Sequence, residues 1–168
     1  MIKKPYKIYL AGPDVFMPDA VTHGKNLSTI VSSYGHIPLF PLDNAFPKNQ
    51  ENLSHAIFQA NVDMIRQADI VLANLNEFRG FEPDSGTVWE IGFAAGLQKI
   101  VIGYCDNHAP IVEKITGGQH QFVDKNGFMI EDFSLPLNLM LIHGLHKLVK
   151  GDLTDAMDYI NDYINDSI

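Results

Sequence analysis

The sequence has one cysteine, Cys105, in 168 residues. It therefore forms no intrachain disulfide and no multi-cysteine metal site, and a reducing compartment fits that usage. Basic residues are also few. Twelve Lys and Arg stand against 20 Asp and Glu, a formal net charge of −8. The basic residues are scattered, whereas a phosphate backbone needs them clustered, so no nucleic-acid polymer is expected as a partner. Long apolar runs are missing. The polar opening MIKKPYK leads into IYLAG, which is shorter than a signal-peptide core, and nothing reaches transmembrane length. The expectation is a soluble cytoplasmic protein with no membrane partner. Several chemical signatures are absent as well. The first loop lacks the Gly-x-Gly-x-x-Gly and Gly-Lys-Ser/Thr patterns of phosphate sites. The seven histidines show no His-x-x-x-His or His-Glu pair of metal-site type. No Ser or Cys sits in a nucleophile elbow. Neither a metal nor a cofactor is expected.

What is present is an ordinary globular composition, 46% hydrophobic and 19% charged. The length suits one domain spanning 1–168. KIYLAG at 7–12 reads as a first strand that stops at Gly-Pro. Residues 19–34 read as a helix, with Asp19 as its cap after Pro18. HIPLFPLD is a second strand and turn. Leu53, Ala56, Ile57, Ala60, Met64, Ile65 and Ala68 recur at helical spacing over 52–68. DIVLANL at 69–75 is a continuous apolar run, as in a strand buried on both faces. A helix over 87–98 and the strand KIVIGYC follow. Strand and helix alternate with short joins, which implies an α/β fold: a doubly wound, open parallel sheet of about five strands with helices on both faces. A fifth strand is expected near Phe122 or at 128–130, with closing helices over 136–149 and 153–164.

Ligands of such sheets bind beyond the carboxyl ends of the strands. The loops to inspect are AGPDVFMPD, PLDNAFP, NEFRGFEPDSG and CDNHAP. In the third of these, PDSG leads into a helix that carries Glu90. Its helical neighbours three and four positions away are Gly86, Thr87, Phe93 and Ala94, and none is cationic. One explanation is a solvated stripe of Thr87, Glu90, Ala94 and Gln98. The other is a carboxylate aimed at a ligand from the first turns of a helix, where the dipole favours an anion. Asp84, six positions earlier, is either a plain N-cap or a second carboxyl facing the same substrate. Cleavage of a glycosidic bond needs one nucleophile and one acid. Gly86 permits close approach. Tyr9, near the end of the first strand, either packs on the sheet or donates its phenol to Glu90. Asp14 in the first loop would repel a phosphate. Phe16, Phe46, Phe81 and Trp89 are candidate walls of a dry pocket, although core packing suits Trp89 better than Phe16.

These residues bear a family likeness. PDSGTVWEIGFAAGLQK resembles the signature of nucleoside 2-deoxyribosyltransferases. KIYLAGPDVF, PLDN at 41–44 and PLNLM at 136–140 agree in order. The Asp-Ser-Gly-Thr-x-x-Glu-x-Gly-x-Ala element is specific for the superfamily but does not separate transferases from related N-glycoside hydrolases. The resemblance implies a flavodoxin-like fold and a retaining two-step exchange of bases between 2′-deoxyribonucleosides and free nucleobases, in purine or pyrimidine salvage. Glu90 matches the nucleophile that forms a covalent 2-deoxyribosyl-enzyme. Asp84 matches the carboxyl that protonates the departing base, and Tyr9 the phenol that orients the nucleophile. Asp14, Phe16, Asn61 and Gly86 fall at substrate-binding places. Asn138 and Met140 match residues that a neighbouring subunit inserts into the site, which implies a homo-oligomer, a dimer or dimer-based assembly. Asn61 departs from the base-contacting Asp of some members.

Two rivals remain at this point. A hydrolase of 2′-deoxynucleoside 5′-monophosphates would need donors for the phosphate, where this first loop holds Asp14 and Asp19. A non-catalytic nucleotide-binding module on the same fold would have no need of a nucleophile.

Overall fold

The computed structural model describes residues 4–47, 49–119 and 122–166. Five strands form one parallel sheet in the order β2-β1-β3-β4-β5. They are β1 (Lys7–Ala11), β2 (Ile37–Leu39), β3 (Ile70–Asn74), β4 (Ile100–Cys105) and β5 (Lys147–Lys150). The helices are α1 (Ala20–Ser33), α2 (Leu53–Gln67), α3 (Ser85–Gly96), α4 (Ile111–Thr116), α5 (Leu139–Gly144) and α6 (Leu153–Asp166). This is the flavodoxin-like strand order. Its direction of winding reverses between β1 and β3, which leaves a crevice at their carboxyl ends.

Strand alternation builds two cores. Tyr9, Ala11, Val71, Ala73 and Val101 face α2, α3 and α5, where they meet Ile65, Ile91, Ala94 and Leu141. Ile8, Leu10, Ile70, Leu72, Ile102 and Tyr104 face α1 and α6, where they meet Val31, Met157 and Ile160. The apolar runs of β3 and β4 are needed because both faces are covered. The parity of β1 also turns Tyr9 toward α2 and α3. Among the described residues no helix is long and apolar enough to cross a membrane.

Three expectations are corrected. The fifth strand lies neither near Phe122 nor at 128–130. That stretch makes a single antiparallel bridge, Val123 to Met129, around a turn in which the Asp124 carboxylate accepts from the N–H groups of Asn126 and Phe128. The fifth strand is instead β5, inside what spacing presents as a helix over 136–149. Helix α5 stops at Gly144. His146 then exchanges two bonds with β4, its N–H to Val101 O (2.8 Å) and the Val101 N–H to His146 Nδ1 (3.1 Å). These start the β4–β5 ladder. A short edge strand flanked by Lys147 and Lys150 carries little apolar signal, and such lysines discourage edge-to-edge pairing. Third, Asp19 occupies the N-cap position of α1 but its side chain makes no capping bond.

Gly24 on α1 packs against the Phe40 ring, and a methyl group there would overlap it. Phe40 is only 2% exposed and cannot swing away. Alanine gains about 1 kcal/mol of helix propensity, against about 1–3 kcal/mol for overpacking. Gly24→Ala is therefore expected to lower the denaturant midpoint with an unchanged m value. A raised midpoint would show that the ring has room to move.

Candidate active site

A cavity of about 310 Å³ opens at the carboxyl ends of β1 and β3. The loop after β1 contributes Gly12, Val15 and Phe16 to it. The segment after β2 contributes Pro41, Leu42, Asn44 and Phe46, and α2 contributes Ile57 and Asn61. Asp84, Gly86, Thr87 and Glu90 come from the start of α3. Four separate segments thus converge on one space, which the switch-point topology makes possible.

Helix α3 begins at Asp84. Its Oδ2 accepts from the Thr87 N–H (3.0 Å) and from Thr87 Oγ1 (3.3 Å). Thr87 is 1% exposed, so the cap is held from below. Asp84 is therefore an N-cap and a cavity residue at once, and its Oδ1 accepts no hydrogen bond from the described residues. Gly86 sits beside that carboxylate; a Cβ there would meet Asp84 Oδ2 at 3.0 Å.

Glu90 lies six residues into the helix, about one and a half turns from its start. Tyr9 Oη donates to Glu90 Oε1 at 2.6 Å, and Asn61 Nδ2 reaches the same oxygen at 3.5 Å. Burial pushes the Glu90 carboxyl up to about 7. The bond from Tyr9 opposes the rise, the Asp84 charge adds to it, and the contact from Asn61 opposes it. The Tyr9 phenol is driven well above its ordinary range, first by burial and then by the Glu90 charge and bond. It stays a neutral donor at any working pH. Asn61 Oδ1 is buried with no partner among the described residues.

The structure gathers Glu90, Asp84, Asn61, Gly86 and Phe16 around the cavity, with Tyr9 bonded to Glu90 from beneath. Phe46 joins them as a wall. Phe81 does not line it, and neither does Trp89, which is 46% exposed rather than packed in the core. Trp89 lies against Phe58 and Phe93 on the outer surface of α2 and α3, with ring centroids 5.2 Å apart in each pair. Asp14 also lies outside the cavity lining. Its carboxylate contacts His23 Nε2 at 2.7 Å and accepts from Asn74 Nδ2 at 2.9 Å. Asn138 caps α5 through a bond from the Met140 N–H, donates to Glu131, and is not part of this cavity's lining. Met140 is 75% exposed. Sequence reasoning overlooked Leu42, Asn44 and Ile57. The PLDN stretch was the available signal for the first two; Ile57 is masked by its regular place in the apolar spacing of α2.

No Lys, Arg or His lines the cavity among the described residues. Nor do those residues hold a group of three or more His, Cys, Asp or Glu arranged for a metal ion. The lining presents two carboxyls and two amides, with the Tyr9 phenol bonded to Glu90 from beneath. Folded Glu90 keeps its proton to a higher pH than it would in the unfolded chain. Its ionisation therefore works against folding as pH rises from the ordinary carboxylate range through about 7. Glu90→Gln, which stays neutral, is expected to gain melting temperature relative to wild type between about pH 5 and about pH 8. A gap that stays constant over that window would contradict the raised carboxyl.

Comparison with known proteins places the chain in a family. A family model described as nucleoside 2-deoxyribosyltransferase matches residues 8–140. The solved 2-desoxiribosyltransferase from Leishmania mexicana is 35% identical, with 95% of this chain and 99% of that one covered and a TM-score of 0.78. A 2-deoxyribosyltransferase from Bacillus psychrosaccharolyticus is 23% identical, with 91% of each chain covered and a TM-score of 0.59. A conserved protein from Enterococcus faecalis V583 shares the fold at 17% identity and a TM-score of 0.64, covering 98% of this chain and all of that one. The comparison with curated proteins gives no match. With the family model covering most of the chain and the Leishmania enzyme matching nearly end to end, the chain belongs to the nucleoside 2-deoxyribosyltransferases, transferases that act on nucleosides.

Proposed function

We propose that the protein exchanges the base of 2′-deoxyribonucleosides with retention, through a covalent 2-deoxyribosyl ester on Glu90. The observation that carries this is the 2.6 Å bond from a buried phenol to the carboxylate of Glu90, in a cavity that Asp84 also lines. A base cannot leave cheaply as an anion. Asp84 gives it a proton through Oδ1 while its Oδ2 remains engaged with Thr87. The glycosidic C1′–N bond breaks with its electron pair going to the base, and the oxocarbenium-like sugar is trapped by Glu90. The incoming base then attacks C1′ and returns its proton to Asp84. Two inversions give retention. Asn61, whose Oδ1 lacks a partner, offers an acceptor to an N–H of the base. Phe16, Phe46 and Leu42 form apolar walls that disfavour water, so that transfer outruns hydrolysis. Asp14 acts indirectly, tying the loop that carries Phe16 to α1 and β3 through His23 and Asn74.

A 5′-monophosphate hydrolase fits less well. A phosphate brings a charge of about −2 at neutral pH, and the lining offers no cation to meet it. A neutral 5′-hydroxyl suits the cavity better.

The site of one chain is open, and the resemblance supplies Asn138 and Met140 from a second copy. Two observations support that assembly. Met140 projects from α5 at 75% exposure, and Phe58 and Trp89 leave a 46%-exposed aromatic surface near the site. We take the working protein to be a homo-oligomer, acting in purine or pyrimidine salvage in the cytoplasm.

Deoxyinosine incubated with free adenine is expected to give deoxyadenosine and hypoxanthine on chromatography. Free deoxyribose would indicate a hydrolase, and no change a binding module. Glu90→Ala is expected to reduce exchange by at least about a thousandfold while the circular dichroism spectrum is kept; near-normal turnover would remove Glu90 as nucleophile. Because an anion must attack, kcat/KM is expected to fall as pH drops below about 7. Asn138→Ala is expected to lower activity in an intact oligomer, and a verified monomer working at full rate would defeat the shared site.

A further inference from the structure

Two donors reach the Glu90 carboxylate, and both reach the same oxygen. Tyr9 Oη comes from β1 and Asn61 Nδ2 from α2, and each approaches Oε1. Oε2 accepts no hydrogen bond from the described residues, although Glu90 lines the cavity. The Asn61 amide has no other partner among the described residues, since its Oδ1 is buried and unpaired there. A carboxylate accepts only, so the amide must turn its NH₂ toward it.

We infer that Asn61 is a positioning residue for the nucleophile: with Tyr9 it pins Oε1 of Glu90 and leaves Oε2 as the oxygen that attacks C1′. This rests on the proposal that Glu90 is the nucleophile. In the step itself, Oε2 forms the new bond to C1′ as the C1′–N bond breaks, the electron pair passes to the base nitrogen, and that nitrogen takes the proton of Asp84. Oε1 stays bonded to Tyr9 and Asn61 throughout, so the carboxylate cannot present its other oxygen without losing both donors. The contact from Asn61 is at the outer limit of a hydrogen bond. Catalytic contacts of this length tighten when substrate binds.

An asparagine suits this place for an electrostatic reason. The groups facing Glu90 are Tyr9 from β1, Asn61 from α2 and Asp84 at the start of its own helix. The loops after β1 and β2 present Phe16, Leu42 and Asn44, none of which titrates. Asp84 and Glu90 are the titratable side chains of the lining, and both are acids. A third carboxyl at position 61 would add like charge where no cation offsets it. The amide donates a hydrogen bond and adds no charge, so Glu90 ionises at a lower pH than it otherwise would.

The test is a direct titration that needs no substrate. Protein labelled with carbon-13 at the glutamate side-chain carboxyl is titrated by NMR, and the Glu90 resonance is assigned by its loss in Glu90→Gln. The wild-type midpoint is expected at about 7. In Asn61→Asp, nearly the same size and shape, and in Asn61→Ala, it is expected to move up by about one pH unit. The acid limb of kcat/KM should move with it. A midpoint that is unchanged or lowered in either variant overturns the role of Asn61. Exchange surviving in Glu90→Ala would instead sink the nucleophile itself, so the two failures are told apart.

Discussion

The site depends on a charged group that the protein makes costly to charge. Glu90 sits where burial raises its proton affinity, and the Tyr9 phenol draws it back down. Tyr9 is fully buried in the sheet and belongs to the same core as Ile65, Ile91 and Val101. Its hydroxyl position is therefore set by the packing of a rigid interior. A loop residue at the same distance would hold Glu90 less well. The Glu90 carboxylate is thus held from the buried core, although it lines an open cavity.

A second group serves both the fold and the cavity. Asp84 caps α3 with one oxygen and leaves the other toward the cavity. The cap orders the helix start, and the helix start places Glu90 a fixed rise away. The two carboxyls therefore cannot drift independently. The crevice between β1 and β3 then brings α2 and the segment after β2 across from them, adding Asn61 and the apolar walls. The lining carries no cation among the described residues, which fits a neutral sugar better than a phosphate ester.

Much of the sheet was legible because β3 and β4 are unbroken apolar runs and α2 repeats at helical spacing. The signal failed where an element gains little from burial. Strand β5 is short, lies at the edge and is bounded by lysines, so its pairing with β4 carries it rather than its own composition. Helix-like spacing across 136–149 arose because α5 and β5 each send side chains to the same core, among them Leu141, Leu145 and Leu148. Trp89 misleads for the opposite reason. An aromatic in an apolar helix reads as core, yet α3 turns it outward onto Phe58 and Phe93.

The sequence by itself determined the α/β class, the alternation that turns Tyr9 to one face of β1, and the spacing that sets Asp84 and Glu90 on one helix start. These are local properties, written in periods of two and 3.6 residues. Only the tertiary structure decided that Tyr9 and Asn61 meet the same oxygen of Glu90, that Asp14 is taken up by His23 and Asn74, and that Asn61 keeps an unpaired acceptor. Those contacts join residues 81, 29, 9 and 60 positions apart or leave a group without a partner among the described residues. Distance along a chain says nothing about which side chains the packing of helices on a sheet will bring together.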